Sequence, residues 1–284
     1  MKFRRRLWFI LLFVSVVSFL TEGCVPPRHP DIFYQPTPQD VVEEMLNRAG
    51  VTKDDVVYDL GCGDGRFVIT AAKRFGARGV GIDIDPVRIK ESNENARKAG
   101  VTSLIKFVEG DLFQADISEA TVVTLFLFPD VNLKLRPKLL RELRPGTRIV
   151  SHGYDMGEWE CDDRDRMGNK TFFYWVVPGD VGGKWHWNLL SLTGGPTYTL
   201  QLVQKFQEVK GKINVQGRDL RIADTRLTGD KLSFIVRNKS LSQEVVMQFS
   251  GRVNGDTLTG TVEVSGGFLA GKHDWMAKRI RERM

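Results

Sequence analysis

The sequence predicts two folded regions, an α/β region followed by a small all-β region. Between residues 37 and 178, short apolar runs alternate with amphipathic helical segments, which is typical of a parallel sheet with helices on both faces. From residue 183 to 284, apolar residues instead recur at every second position, as in strands that turn one face toward a core. The stretch VPGDVGG between them has the composition of a linker. We therefore expect two domains, 37–178 and 183–284.

Residues 1–23 have the pattern of an export signal or a membrane anchor. The positive segment MKFRRR precedes a 14-residue apolar run, LWFILLFVSVVSFL, which is short for a membrane span. Three alternatives stay open: an uncleaved anchor, a cleaved signal, or a lipoprotein signal acylated on Cys24. All three place the body of the chain outside the cytoplasm, because the cluster of positive charges stays inside. Residues 24–36 form a proline-rich linker.

The net charge of +6 does not predict a nucleic-acid partner. Residues 1–23 account for +3 of this charge, and the remaining +3 is small and dispersed along the body. The body contains only Cys62 and Cys161, so no disulfide framework holds it together. The composition therefore indicates a globular body that does not bind nucleic acid.

The elements of the α/β region can be assigned in order. The first helix has signals at both ends, because Thr37 can cap it, Pro38 suits its first position and Gly50 can end it. A later helix can be capped by Asp85. Helices are expected over 66–75, 86–99 and 133–143, and strands over VVYDL (56–60), GVGID (79–83), IKFVEGD (105–111), TVVTLFLF (121–128) and TRIVSHG (147–153).

Alternating apolar residues in the second region predict short strands, for example at 198–202 and 232–236. LTGDKLSF and VNGDTLTG repeat a Gly-Asp turn that suits hairpins. Trp185 near the start, with the basic Lys278 and Arg279 near the end, resembles a small lipocalin-type barrel, in which a tryptophan packs across the floor beside a basic residue. We expect a closed barrel that either holds a ligand or serves solubility or docking.

A glycine-rich turn, in VVYDLGCGDGRF, follows the first strand. A dinucleotide-binding turn needs the spacing G-x-G-x-x-G, but here Arg66 directly follows Gly61-x-Gly63-x-Gly65. The alternative ligand is S-adenosylmethionine, which lacks a phosphate but has an amino-acid tail, a ribose diol and an adenine. The three glycines leave no Cβ where its methionine portion has to lie against the backbone. Cys62 is expected to fill space and not to act as a catalytic thiol.

Carboxylates at the ends of the first three strands can bind the polar groups of this ligand. Asp59 can reach the ammonium group, and Asp83 can accept both ribose hydroxyls, although a helix cap is its alternative. Asp111 and Leu112 should border the adenine, with a surface turn as the alternative for Asp111. No metal site is expected. The candidate cofactor-binding residues of this segment are Asp59, Gly61, Cys62, Gly63, Asp64, Gly65, Asp83, Ile84, Asp111 and Leu112.

Three motifs in order carry a family resemblance: DLGCGDG, then GIDID, then EGDLF after the third strand. They resemble motifs I, II and III of class I S-adenosylmethionine-dependent methyltransferases. The glycine triplet alone is a weak signal, but the three motifs together are specific. The resemblance implies a Rossmann-like sheet of seven strands and S-adenosyl-L-methionine as the cofactor.

A closer similarity covers residues 31 to about 178. IFYQPTPQDVVEEML, GIDIDPVRI, VVTLFLFPDVNLKLRPKLLRELRPGTRIVSH and DMGEW are similar to the family of mitochondrial protein-lysine methyltransferases that modify the ATP synthase c subunit and the adenine nucleotide translocase. In that family the segment before the first helix folds over the cofactor, which implies lid roles for Tyr34 and Thr37. A helix cap is an equal alternative for Thr37. The chain departs from the family in its extra β region and in the charged insert ECDDRDRMGNK.

The methyl acceptor is expected at the carboxyl end of the fourth strand, in FLFPDVN. Methyl transfer from a sulfonium is an in-line displacement, so catalysis is mainly alignment and desolvation of an unprotonated nucleophile. A rim of Phe128, Pro129, Asp130 and Asn132 under the lid would form an apolar channel with polar groups only at its mouth. Asn132 has a helix cap as its alternative, and His152 is either structural or a proton acceptor.

Such a channel suits a long aliphatic lysine that loses its proton on entry, whereas a carboxylate or catechol acceptor calls for a cation or metal. The sequence therefore predicts an S-adenosylmethionine-dependent methyltransferase that N-methylates lysine in a membrane or envelope protein. Two alternatives remain: a small-molecule methyltransferase whose acceptor is held by the β region, and an exported binding protein that keeps the fold without activity.

Overall fold

The structure is a computed structural model, and it describes residues 34–189, 195–239, 244–267 and 269–281. The predicted export or anchor segment, Cys24 and most of the linker lie outside the described residues. Within the described ranges, no helix has the length and apolarity needed to cross a membrane.

Helices and strands alternate through the α/β region, as the sequence predicts. Helix α2 continues directly into a π-helical turn, Ala71–Phe75. The helices are α1 Gln39–Arg48, α2 Arg66–Thr70, α3 Pro86–Ala99 and α4 Pro129–Glu142, and the strands are β1 Val56–Leu60, β2 Arg78–Asp83, β3 Ile105–Glu109, β4 Val122–Leu125, β5 Arg148–His152, β6 Asp163–Met167 and β7 Lys170–Val176.

The seven strands form one mixed sheet in the order β3-β2-β1-β4-β5-β7-β6, which confirms the predicted fold class. Strands β1 to β5 are parallel, and β7 is antiparallel to both of its neighbours. All residues of the central strand β1 are buried. The charged insert forms β6, whose alternating Asp and Arg residues are largely exposed because this strand is at the edge of the sheet.

Helices cover both faces of this sheet. Helix α1 buries Val42 and Leu46 in a cluster that includes Val57 of β1. Helix α4 buries Leu135 and Leu139 in a second cluster that contains the alternate β1 residues. Because neighbouring β1 side chains point to opposite faces, the central strand packs against both layers.

Two predicted boundaries at the fourth strand are wrong. The strand β4 ends at Leu125, so Phe126, Leu127 and Phe128 leave the sheet as extended chain. Helix α4 begins at Pro129, four residues before its predicted start, because proline fits the first helical position and Phe128 supplies the extended residue before it. The chain therefore turns into the helix directly above the sheet edge.

The second region is a closed antiparallel barrel, as predicted. Each strand pairs with the next, and β15 closes the ring by pairing with β8, for example Lys278 with His186. The strands are β8 Gly183–Asn188, β9 Thr197–Lys205, β10 Glu208–Val215, β11 Arg218–Thr228, β12 Lys231–Lys239, β13 Glu244–Asn254, β14 Thr257–Ser265 and β15 Gly271–Ile280.

The floor of the barrel has the predicted pair of residues. The Arg279 guanidinium lies 4.3 Å from the ring centre of Trp185. The indole Nε1 of Trp185 donates to the main-chain oxygen of Val181 at 2.9 Å, so the tryptophan is fixed as well as buried. A cation over a tryptophan face is a favourable contact, and here it closes one end of the barrel.

The barrel interior is a packed aromatic core. The ring centres of Trp187 and Tyr198 are 5.1 Å apart and nearly parallel, and those of Phe234 and Phe249 are 4.8 Å apart. Trp275 lies 5.2 Å from Trp187 and completes the cluster. Since these side chains pack together in the described interior, the structure favours a solubility or docking role of the barrel over the ligand-holding one.

The barrel contacts the α/β region through the turn between β9 and β10. Phe206 in this turn has a left-handed backbone (φ 55°), and its ring stacks 6.0 Å from that of Trp159. The Arg136 guanidinium of α4 lies 5.5 Å from the Phe206 ring, and Gln207 Nε2 donates to the main-chain oxygen of Glu160 at 2.7 Å. Phe206 therefore packs against the core of the α/β region.

Candidate active site

A cavity of about 330 Å³ opens at the carboxyl ends of β1, β2 and β4. Open α/β sheets bind ligands at this edge, where the loops after the strands converge. One wall comes from the lid before α1 and from the loops after β1, β2 and β3. The opposite wall comes from the residues after β4 and β5.

The glycine-rich turn forms the floor of this cavity, and Gly63 is its most constrained position. Its φ is +53°, and a Cβ on it would lie 2.4 Å from Cε2 of the Tyr34 ring. Gly61 also lines the cavity, with φ +82°. Gly65 does not line the cavity; a Cβ there would meet the Phe107 ring at 2.6 Å, so its glycine serves packing. The turn therefore brings backbone close to a ligand under the Tyr34 ring.

Cys62 lines the cavity but is largely buried between neighbouring strands. A Cβ on Gly81 would meet its Sγ at 2.9 Å, so the thiol fills the space that this glycine leaves. Burial raises the pKa of the Cys62 thiol far above its ordinary value. The structure thus agrees with a space-filling role. Among the described residues, no group of His, Cys, Asp and Glu is arranged to hold a metal ion.

Asp83, at the end of β2, is held by two backbone donors. Its Oδ2 accepts from Gly63 N at 2.8 Å, and its Oδ1 accepts from Asp85 N at 3.0 Å. Asp85 is the residue that caps α3, by accepting from Val87 N at 2.8 Å, so the alternative role of Asp83 as a cap is wrong. Each Asp83 oxygen can accept a further hydrogen bond, as a ribose diol requires.

Asp59, at the end of β1, is a buried carboxyl group that lines the cavity. Burial, opposed by a 2.7 Å hydrogen bond from Thr124 Oγ1 and reinforced by the charges of Asp83 and Asp64, raises the pKa of Asp59 to about 8. A cation beside this group would favour its ionised form. The ammonium group of an amino-acid tail is such a cation, so the predicted role of Asp59 fits its surroundings.

Asp111 follows β3 and organises a tight turn. Its Oδ1 accepts from Phe113 N at 2.9 Å, and its main-chain oxygen accepts from Ala115 N at 3.0 Å. Asp111 and Leu112 both line the cavity, as does Ile84 after β2. The two interpretations of Asp111 are therefore compatible, because the same residue shapes a turn and borders the cavity.

The lid over the turn is fastened by Arg66, a residue for which the sequence suggested no role. Its Nε donates to Asp64 Oδ1 at 2.9 Å and its Nη2 to Asp64 Oδ2 at 2.6 Å, while Nη1 donates to the main-chain oxygen of Thr37. Burial raises the pKa of the Asp64 carboxyl, but the hydrogen bonds and charge of Arg66 outweigh burial, so the pKa lies below its ordinary value. On the outer side, the Arg88 guanidinium lies 4.6 Å from the Tyr34 ring centre.

Thr37 does not cap α1, since Pro38 precedes the helix and no side chain caps it. The Thr37 hydroxyl is instead hydrogen-bonded to His152 Nδ1 at 3.1 Å. Burial, reinforced by the positive charge of Lys170, lowers the pKa of His152 to about 4. The ring centre of His152 lies 4.1 Å from that of Phe126, with the ring planes tilted by 34°, and His152 is outside the cavity lining. His152 therefore supports Thr37 and Phe126 from behind and does not face the cavity.

The wall opposite the lid is aromatic and aliphatic. Phe126, Leu127, Phe128 and Val131 line it, together with Tyr154 from the loop after β5. The rings of Phe128 and Tyr154 meet edge to face, with centres 6.2 Å apart. Sequence reasoning missed Tyr154, although its place just after β5 is a usable signal, because that strand ends at the same sheet edge.

Of the four predicted rim residues, only Phe128 lines the cavity. Asp130 is exposed on the surface of α4, where its carboxylate is 3.9 Å from Lys134 Nζ. Asn132 is fully buried, and its Nδ2 donates to the main-chain oxygens of Tyr154 (3.4 Å) and Asp155 (3.2 Å). The rim prediction treated 128–132 as a loop, but α4 begins at Pro129 and turns these side chains away from the cavity. The early helix start also excludes Asn132 as its cap.

A family model described as the ANTKMT methyltransferase domain matches residues 59–163. Among proteins similar in sequence, a protein-lysine N-methyltransferase of Saccharolobus islandicus (strain REY15A) is 48% identical over 153 residues, which are 52% of this chain and 95% of that protein. The human lysine N-methyltransferase of the ATP synthase C subunit is 30% identical over 147 residues, which are 52% of this chain and 59% of that protein.

Among solved structures, an RNA methyltransferase from Salinibacter ruber in complex with S-adenosyl-L-homocysteine is similar to this chain. It is 54% identical, has a TM-score of 0.51, and the match covers 52% of this chain and 96% of that one. The residues matched by the family model end before the first strand of the barrel. The names of these relatives agree on methyl transfer and differ on the acceptor.

Proposed function

Because the chain belongs to the family of ANTKMT methyltransferase domains and is an S-adenosylmethionine-dependent methyltransferase, we propose that its acceptor is the amine of a lysine side chain in a protein. The observation that carries this proposal is the apolar wall of Phe126, Phe128 and Tyr154 beside the cavity. The names of the two sequence relatives support it, since both are lysine N-methyltransferases.

The lining residues fit the cofactor. Asp59 would hold the ammonium group and Asp83 the ribose hydroxyls. A side chain at position 63 would collide with the Tyr34 ring of the lid, so this position suits glycine. Arg66 would keep the lid in place through Asp64 and the Thr37 main chain. When bound, S-adenosylmethionine supplies an electrophilic methyl group, and the protein aligns it with the acceptor.

The aromatic wall suits a neutral amine. Phe126 and Phe128 offer no hydrogen bond to an ammonium group, so a lysine entering here favours its unprotonated form. Tyr154 also lines this wall, and a neutral phenol can hydrogen-bond an amine without the negative charge by which a carboxylate would stabilise the ammonium form. An ordinary lysine has a pKa of about 10.4, so turnover should rise toward alkaline pH.

A second acceptor class has an observation in its favour, because the 54% identical relative is an RNA methyltransferase. An aromatic wall can also stack an unpaired base. The lysine proposal is preferred because the described exposed large apolar residues of the barrel include no aromatic ring that could hold single-stranded nucleic acid. Methyl labelling of separate protein and RNA fractions distinguishes a lysine acceptor from an RNA acceptor.

To test this proposal, the full chain and a matched Asp83→Ala variant are each incubated with methyl-labelled cofactor and a cell extract. The extract is first divided into membrane, soluble and RNA fractions. We expect wild type to label a protein band that survives base and ribonuclease, with the label recovered as methylated lysine. The Asp83→Ala variant should give none. Label that ribonuclease removes would indicate that RNA, and not lysine, is the acceptor. Label found only in organic-extractable small molecules would support a small-molecule acceptor.

We further propose that the chain is exported or membrane-anchored through residues 1–23 and acts on a membrane or envelope protein. The charge pattern of the segment supports this proposal. A reporter that is active only outside the cytoplasm, fused after Val25, should give signal. A silent fusion would reject export. Mass spectrometry of the mature N-terminus would then distinguish acylated Cys24, unmodified Cys24 and Met1.

A further inference from the structure

Charge is unevenly divided between the two regions of this chain. Residues 183–284 contain 16 Lys and Arg against nine Asp and Glu, a net charge of +7. Residues 24–182 contain 21 Lys and Arg against 25 Asp and Glu, a net charge of −4. The expectation that the positive charge of the body is dispersed is therefore wrong, because the barrel carries it.

Part of this charge forms one surface, which we call the basic face: Lys210 on β10, Arg221 and Arg226 on β11, and Lys231 and Arg237 on β12. All five side chains are exposed. Each of them has at least one sequence neighbour that is buried or packs against the barrel core, as expected where alternate residues of a strand point outward. These three strands are adjacent in the barrel, so the five cations share one wall.

The basic face is not neutralised by ion pairs. None of its five side chains has an ion-pair or hydrogen-bond partner in the described part of the chain, and the exposed Asp224 at the bulge of β11 pairs with none of them. Several other cations of the barrel are paired; for example, Lys212 Nζ lies 2.6 Å from Asp219, and Arg252 Nη1 lies 2.8 Å from Asp230. Among the described residues, most of the unpaired barrel cations therefore lie on this wall.

This arrangement costs stability. Arg221 and Arg237 flank the cross-strand pair Ile222–Val236, so they are cross-strand neighbours of the same sign. Like charges opposite each other destabilise a sheet, so folding alone gives no reason for this pattern, whereas an anionic partner does.

The basic face begins where the barrel meets the active-site region. Lys210 is three residues beyond Gln207, whose side chain contacts the Glu160 main chain, and Phe206 in the same turn stacks on Trp159. Trp159 and Glu160 belong to the loop after β5, and the same loop contains Tyr154, which lines the cavity. A partner bound on the basic face would therefore lie beside the loop that forms the acceptor wall.

We propose that the basic face of β10, β11 and β12 is the docking surface for an acidic protein substrate. This inference rests on the proposed function and names the substrate class. The basic face would attract an acidic protein, whereas the negatively charged α/β region would not. A protein is favoured over RNA because the outward residues between the cations are Ala223, Ser233 and Ile235, with no aromatic ring for base stacking. Since exposed ion pairs are individually weak and screened by salt, docking depends on several of them together.

The test measures binding of the full chain, in detergent, to poly-L-glutamate as a probe of acidic polypeptide. The face variant carries Arg221→Gln, Arg226→Gln and Arg237→Gln. The matched control carries Lys53→Gln, Lys98→Gln and Lys106→Gln, which remove the same charge from exposed positions of the α/β region that have no ion pair among the described residues. We expect the face variant to bind about tenfold more weakly and the control to bind as wild type does. The face variant should also melt at a higher temperature, because it removes like-charge contacts.

Several results would overturn the proposal. Equal losses in the face and control variants would mean that only net charge matters, and no binding by wild type would mean that the face does not dock acidic polypeptide. Tighter, face-dependent binding of poly-uridylate or of phosphatidylglycerol vesicles would assign the face to RNA or to a lipid surface. In the labelling assay, failure of the proposed function appears as no labelled lysine with any variant. Failure of the docking proposal appears as labelled lysine that wild type and the face variant produce equally.

Discussion

The cavity of the α/β region is lined mainly by loops at the ends of strands, whereas the interior of the barrel is enclosed by the strands themselves. The cavity is lined by side chains held by specific hydrogen bonds, such as Asp83 to the Gly63 and Asp85 backbone. The barrel interior holds stacked rings, such as Trp187 on Tyr198. Among the described residues, the first arrangement leaves room and directed carboxylates for a ligand, whereas packed rings occupy the second.

The difference indicates how function is divided along the chain. In the α/β region, residues at strand ends supply the chemistry, and a packed sheet holds them in place. In the barrel, the packed interior supplies stability, and the outer surface is the part available to a partner. Substitutions in the cavity should therefore change cofactor binding, whereas substitutions on the barrel or its junction should change use of the acceptor.

The largest effect is expected from Gly63→Ala. The new Cβ would lie 2.4 Å from the Tyr34 ring, so the lid would have to move away from the cavity. We expect cofactor affinity to fall by at least about tenfold, measured by calorimetry. Gly100→Ala is the matched control, because Gly100 also has a positive φ (+71°) but no atom within 4 Å of the added Cβ. Equal losses in both variants would mean that backbone strain, and not the lid, is responsible.

A smaller and more selective effect is expected from Phe206→Ala. Removing this ring leaves a gap beside Trp159 and loosens the loop that carries Tyr154. We expect the Michaelis constant for the protein acceptor to rise about fivefold while cofactor affinity is unchanged. Phe206→Tyr, which keeps the ring, should restore the value, and Val203→Ala on the exposed face of β9 should have no effect. A parallel loss of cofactor binding would show that the junction supports the whole cavity.

Cofactor binding should also depend on pH through Asp59. Because its pKa is about 8 in the protein, most of the group is protonated at pH 7, and an ammonium ligand has to displace that proton. Affinity should therefore rise above pH 7 as the Asp59 carboxyl ionises and fall again once the ammonium group of the ligand loses its proton, which gives a maximum near about pH 8. Asp59→Asn should bind weakly at every pH and lack the rise; a rise kept by this variant would assign the titration to another group.

The same raised pKa affects the stability of the free protein. The stability contributed by protonated Asp59 is fully present below the ordinary pKa of 3.8 and is lost as pH rises through 8. Asp59→Asn should therefore remove part of the fall in melting temperature over this range. An unchanged pH profile of melting in the variant would contradict the raised pKa.

The smallest effect is expected from Asp130→Asn. Its carboxylate is exposed on α4 and is 3.9 Å from Lys134, away from the cavity lining. We expect turnover within about twofold of wild type, since exposed ion pairs contribute little. A large loss of turnover would restore Asp130 to the acceptor site and contradict the structural assignment.

Much of the cofactor side could be predicted from the sequence because its signals are local. The glycine turn follows β1, Asp59 and Asp83 lie at the ends of β1 and β2, and Asp111 comes just after β3; parallel strands end at one edge of the sheet. The barrel was predictable for a related reason, because apolar residues at every second position and repeated turn sequences are also local patterns.

The acceptor side was less predictable because it depends on contacts distant in sequence. Asn132 donates to the main-chain oxygen of Tyr154, 22 residues away, and in the lid Arg66 reaches back 29 residues to Thr37. The rim prediction failed at Asp130 and Asn132 because a helix start four residues earlier rotates both side chains away from the cavity. The local signal for this start is Pro129 alone, and proline is common in turns as well as at the first position of a helix.

The division between a cofactor cavity and a docking barrel is tested most directly by calorimetry of the full chain with S-adenosylhomocysteine at pH 8. We expect micromolar binding at one site. This binding should be weakened at least about tenfold by Asp83→Ala and left unchanged by the face variant with Arg221→Gln, Arg226→Gln and Arg237→Gln. No heat with wild type, or an equal loss in the two variants, would contradict the assignment of the cofactor to the α/β cavity and of the barrel to docking.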